Sequence, residues 1–156
     1  MRLLPEQHDR ISLSGRLRDA PLATAALVRE IREVMGTSWR RSPHPRQAGK
    51  VACIERLIEA KAFTDAALAL IDLELPLWQL RRFAYDGGEW HCALSRQREL
   101  PDWLDQSIEA SHPDLALAIL CALVAANDVL SSRPSVPSAP RKLKPDYVPV
   151  FCDNFA

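Results

Sequence analysis

Glycine is scarce in this chain, five in 156 residues, and none sits in a glycine-rich loop of the kind that cradles phosphate. Net charge is also missing, because twenty Lys and Arg balance twenty Asp and Glu. Broad nucleic-acid binding needs a positive surface to neutralise backbone phosphates, so that class is disfavoured. The four cysteines, Cys53, Cys92, Cys121 and Cys152, lie far apart and form no C-x-x-C. That spacing argues against a zinc knuckle or a dithiol redox motif. Met1-Arg2-Leu3-Leu4-Pro5-Glu6 opens without the apolar core of a signal peptide. The longest apolar run, from Leu115 to Ala126, falls short of the ~20 residues that span a bilayer. These absences are read as a reduced cytoplasmic protein with no metal, no cofactor and no membrane contact.

What is present is the composition of a globular domain, 47% hydrophobic and 26% charged. The expected fold is α+β and mostly α: a small helical bundle with one antiparallel β-hairpin and an extended C-terminal tail. Residues 1–18 read as a loosely ordered arm, 19–130 as the domain with its hairpin at 77–96, and 131–156 as a Pro-rich tail. Asp19 as N-cap, Pro21 in the first turn and Gly36 as a stop predict a helix over 21–35. A second helix is predicted over 47–62. A third runs over 65–74, with Thr64 as N-cap, Phe63 and Leu68 as a hydrophobic staple, and Pro76 ending it. Pro101-Asp102-Trp103-Leu104 predicts a short helix to about Ala110. Ser111-His112-Pro113-Asp114 then starts a helix to Leu130 that is apolar nearly all round, the mark of a buried centre. Cys53, Cys92 and Cys121 fall at apolar-patterned positions and are expected to be buried thiols.

The segment from Pro76 to Arg96 reads as the hairpin, two aromatic-rich runs around Asp86-Gly87-Gly88. A turn at Gly87-Gly88 sets Tyr85 opposite Trp90, Ala84 opposite His91, Phe83 opposite Cys92 and Arg82 opposite Ala93. Alternation then divides two faces. Arg81, Phe83, Tyr85, Trp90, Cys92 and Leu94 share the face expected to pack on the helices. Trp78, Leu80, Arg82, His91 and Ser95 share the other, where His91 beside Arg82 can hold an anion or move a proton. Ser95 and His91 lie about 13 Å apart on one strand, too far for a nucleophile–base bond.

The loop Trp39-Arg40-Arg41-Ser42-Pro43-His44-Pro45-Arg46 carries bases and no acid, which makes Arg40, Arg41 and Arg46 further candidates for an anion. Three helices before a hairpin is also the order of a winged helix. Residues 65–74, however, contain three acids and no Arg, Lys, Asn or Gln with which to read bases. The tail repeats proline at Pro134, Pro137 and Pro140, favouring a stiff polyproline II rod. It then delivers Tyr147, Val150 and Phe151, apolar for a solvated end.

Leu77-Trp78-Gln79-Leu80-Arg81-Arg82, Gly88-Glu89-Trp90-His91-Cys92-Ala93-Leu94-Ser95-Arg96 and Leu100-Pro101-Asp102-Trp103-Leu104 resemble small proteins of rhizobia-like alphaproteobacteria. The likeness covers about 76–126. It implies a soluble bacterial origin and carries neither an activity nor a functional residue. The first functional reading is a non-enzymatic interaction or adaptor module whose contacts are Trp78, Leu80, Tyr147, Val150 and Phe151, with no catalytic residue. Its partner is an unidentified protein or a second copy. The second is an anionic-ligand binder or enzyme using Arg82, His91, Arg40, Arg41 and Arg46. The third is a winged-helix DNA binder.

Overall fold

A computed structural model describes residues 13–36, 45–96 and 107–132. In chain order these form α1 (13–19), α2 (Ala25–Met35), α3 (Pro45–Glu59), α4 (Phe63–Glu74), β1 (Gln79–Asp86), β2 (Glu89–Ser95), β3 (Ile108–His112) and α5 (Leu115–Ser132). The chain is α+β and mostly helical, with one antiparallel sheet in the order β1-β2-β3. Of the tail expected over 131–156, residues 131–132 belong to α5, and 133–156, with Cys152, lie outside the described residues.

The reading of 1–18 as a loose arm needs correcting at its end, since 13–19 is helical. So short a helix is marginal by itself. Leu13 and Leu17, one turn apart, are both buried in the core and hold it there. Arg16 on its open side forks onto Glu30 of α2. Asp19 therefore closes α1 instead of capping α2. The α2 cap is Thr24, whose Oγ1 accepts the Leu27 N–H at 3.3 Å. Gly36 does end α2, but at φ −73, a conformation open to any residue.

α3 stops three residues earlier than the apolar pattern predicts. Lys61 turns into the left-handed region at φ 58. Its N–H donates to the Ile58 carbonyl at 3.0 Å, and the Ala62 N–H reaches back to Leu57 at 2.9 Å. This is a Schellman closure, made here without glycine. The chain runs straight from it into α4, whose first hydrogen bond goes from Ala66 N–H to Ala62 C=O. Thr64 is consequently inside the helix, and Ala62 occupies the cap position with no side-chain bond. α3 buries one row, Ile54 and Ile58, and Cys53 lies off it, exposed. The expected burial of Cys53 is thereby corrected. α2 and α3 are joined at Glu55, which accepts from Arg29 Nε at 2.6 Å and from Arg32 Nη1 at 2.5 Å. The Arg29 hydrogen bond holds the Glu55 carboxyl below the usual carboxylate range, against the opposing effect of burial, and Arg32 adds to it.

Residues 108–110, predicted as the end of a short helix, and 111–112, predicted to open the next one, form β3 instead, while 101–106 lie outside the described residues. Ile108-Glu109-Ala110-Ser111-His112 alternates apolar and polar with period two, and pairing with β2 decides the outcome. A tight joint links β3 to α5. His112 is buried, and its Nδ1 accepts the Asp114 N–H at 2.9 Å. Asp114 Oδ1 accepts the Leu117 N–H at 3.0 Å, so Asp114, not Ser111, caps α5.

α5 extends to Ser132, 18 residues, long and apolar enough to pass for a membrane span by composition. Here that surface is taken up by protein: α5 packs on β3 and β2 and on α4. Leu117, Ile119, Leu120 and Leu123 are fully buried, and the helix is the centre of the core as its all-round apolarity predicts.

Two stability measurements check this account. Leu120→Ala should cost about 3–5 kcal/mol in denaturant unfolding, the range for a leucine cut from a closed core. Lys61→Gly should raise stability by about 1 kcal/mol, because glycine enters the left-handed region without the Cβ clash. An unchanged midpoint for either variant would contradict the corresponding placement.

Candidate functional site

The hairpin forms with the predicted pairing: Tyr85 opposite Trp90, Ala84 opposite His91, Phe83 opposite Cys92 and Arg82 opposite Ala93. Gly87 at φ 60 and Gly88 at φ 90 supply the two left-handed residues of the connecting turn. Beyond Arg82 the register slips, so that Leu80 faces Leu94 and Gln79 faces Ser95, with Arg81 as the extra residue of a bulge. The slip exchanges faces. Leu80, expected beside His91, joins Phe83 and Tyr85 on the face that looks towards the helices. Trp78, expected on the surface, is 8% exposed and belongs to the core.

The helix-side face is covered over only part of its width. On β2, Cys92 and Leu94 are buried; on β3, Ile108 and Ala110 pack against the core. On β1, Leu80 remains 38% exposed, Phe83 39% and Tyr85 60%. The expectation that Phe83 and Tyr85 pack on helices is thus overturned. The reason is one of reach, because α5 lies across β3 and β2. The bare aromatics pack on one another around Trp90. Phe83 stacks on it with centroids 5.2 Å apart and planes at 25°, and Tyr85 meets it at 4.9 Å and 52°. Such pairs contribute about 0.5–1.5 kcal/mol beyond area burial and hold the rings in fixed positions.

On the outer face, Arg82, Asp86, His91 and Glu109 surround a hollow of about 200 Å³ floored by Ala84 and Ala93. Arg82 and His91 do share this site, as the pairing predicts. Two carboxylates share it as well, and with one guanidinium against them the hollow does not favour an anion. Arg46 stands exposed in the first turn of α3, away from this hollow, and Arg40 and Arg41 lie outside the described residues. The five proposed anion ligands are therefore not gathered into one site among the described residues. Tyr147, Val150 and Phe151 also lie outside them.

A second hollow of about 460 Å³ opens where β3 meets α1 and α5. Ser14, Arg18, Glu109, Ser111, Cys121 and Asp128 line it. Sequence reasoning missed it by placing a helix where β3 lies; the only available signal was Cys121, Ala125 and Asp128 recurring along one side of α5. Among the described residues no three His, Cys, Asp or Glu side chains converge as metal ligands would.

Cys92 is buried as expected, whereas Cys121, also expected to be buried, is only half-buried beside the second hollow. Burial pushes the Cys92 thiol up to about 12, and the nearby Cys121 adds to the effect. Burial also raises Cys121, to about 11, against the pull of the Arg18 guanidinium. Neither is a ready thiolate, so neither is set up as a nucleophile. No family model matches this sequence, and comparison with curated proteins and with solved structures gives no match either.

The thiols give two predictions. Alkylation of native protein at pH 8, followed by mass spectrometry, should modify Cys53 well before Cys121 and Cys92. The native state keeps both raised thiols protonated while the unfolded chain ionises them near 9, so the native state binds more protons above that pH. Stability contributed by these thiols is complete below pH 9 and lost as pH climbs towards 11 and 12. A Cys92→Ala, Cys121→Ala variant should therefore lose stability less steeply between pH 8 and 10; equal slopes would contradict the burial described.

Proposed function

We propose that this chain is a protein–protein interaction module and that its docking surface is the bare aromatic face of the hairpin. The observation that carries this reading is the patch of Leu80, Phe83 and Tyr85 around Trp90, exposed on the core-facing side of the sheet beyond the two strands that α5 covers. Soluble domains rarely leave contiguous aromatic surface in water, and where they do it marks a contact. Aromatic side chains held rigid before binding lose little entropy on association and supply large apolar area, which is why they dominate interface energetics. The outer face, with its mixed charges and shallow hollow, supports a ligand or enzymatic reading less well.

A photo-reactive phenylalanine analogue in place of Tyr85, irradiated in cells, tests the proposal, with the same analogue at Leu22 as an isolated exposed control. A discrete adduct should form from position 85 and not from position 22. Phe83→Ser should abolish it while the protein stays folded, its melting temperature lowered by the several degrees that loss of the Trp90 stack entails. Absence of any adduct from position 85 would defeat the reading.

A further inference from the structure

Resting on that reading, we propose that the partner of the β1 face is a second copy of this chain, joined edge to edge through β1 about a twofold axis at Ala84. The outer edge of β1 has no strand beside it among the described residues. An unpaired edge next to bare aromatics is a template for another strand. The sequence of that edge is complementary to itself in one register.

Pairing two β1 strands antiparallel with Ala84 opposite Ala84 sets Arg82 opposite the second copy's Asp86, and Asp86 opposite its Arg82. Phe83 then faces Tyr85, twice. The charged pairs fall on the outer face and the aromatic pairs on the helix side, because residues two apart share a face. The two alanines meet at the axis, where a small side chain is needed. Shifting by one residue turns the second copy over and sends its aromatics to the opposite face of the sheet. Centring on Phe83 instead keeps the faces but sets Arg82 against Ala84 and leaves Asp86 opposite Leu80. Only the Ala84 register pairs both charges and keeps the aromatic rows together.

Two further observations agree. Arg82 and Asp86 form none of the ion pairs among the described residues. On one strand they stand about 13 Å apart and cannot satisfy each other. The bulge at Arg81 breaks the ladder beyond Arg82, which confines pairing to Arg82–Asp86 and excludes longer registers. The product is an isologous dimer with a sheet ordered β3-β2-β1-β1-β2-β3 and the helices of both copies on one side.

Sedimentation equilibrium on the full chain tests the inference. The wild type should be a dimer. Arg82→Asp alone, or Asp86→Arg alone, places like charges opposite each other twice and should weaken dimerisation by about tenfold or more. The Arg82→Asp, Asp86→Arg double variant re-creates both pairs in reverse and should return the dissociation constant close to wild type. Both residues are exposed, so the monomer's stability is unaffected and apparent melting temperatures should fall in the single variants only as far as lost dimerisation takes them, returning in the double variant. A dimer indifferent to the single reversals, or single losses that the double variant fails to restore, overturns the pairing. A monomeric chain whose Tyr85 adduct contains a different protein overturns the second copy as partner and leaves the docking face intact. A monomer with no adduct overturns both.

Discussion

A helix with its side chains is about 10 Å across, and neighbouring strands lie about 4.8 Å apart, so one helix laid along a sheet shelters two strands. Much of this molecule follows from α5 being that helix. Its all-round apolarity calls for cover on every side, and β2, β3 and α4 provide it. Among the described elements, β1 is the third strand of a sheet with one helix packed along it. It keeps its backbone partner and loses its roof. The same packing that closes the core against Leu117, Leu120 and Leu123 leaves Phe83 and Tyr85 in water.

The position of the core and the position of the open face are thus one decision. Widening the helical layer over β1 would require α4 or α3 to shift towards the hairpin. Both are held elsewhere: α4 by its buried row Ala66, Ala67, Leu70, Ile71 and Leu73, and α3 by the two arginines of α2 that meet at Glu55. The aromatic residues respond by packing on themselves, with Trp90 between Phe83 and Tyr85. A patch built this way is ordered before any contact is made, and order acquired in advance is free energy not spent on binding.

How much of this the amino-acid sequence reveals depends on the range of the deciding interaction. Gly87-Gly88 specifies its turn locally, and the pairing from Tyr85–Trp90 to Arg82–Ala93 follows from it by counting. Continuous apolarity likewise marks α5 as central. The failures occur where a distant contact outvotes the local signal. Asp19 and Pro21 look like a helix start, yet burial of Leu13 and Leu17 puts a helix before them, and Thr24 caps the next one. The short helix expected to begin at Pro101, itself outside the described residues, fails at its far end, where residues 108–110 are claimed by the open edge of β2. Thr64 is a good cap residue in the wrong place, because Lys61 turns the chain one step sooner than composition suggests. Most consequential is Arg81. No composition rule predicts that it is skipped, and the skip moves Leu80 from one face to the other, so the candidate site could be located on the hairpin but not assigned to its correct side.

That skipped residue gives β1 two phases. Towards the turn, from Arg82 to Asp86, facing is set by the glycines; towards α4, at Gln79 and Leu80, it is set by how the chain leaves Leu75 and Trp78, both buried. Arg81 is the joint at which the two countings are reconciled. A sequence change that lengthens or shortens the connection from α4 can be absorbed there, without rotating the aromatic rings. The hairpin tip is in that sense insulated from the helical body: its surface can diversify residue by residue while the body keeps its own packing, and the reverse holds as well.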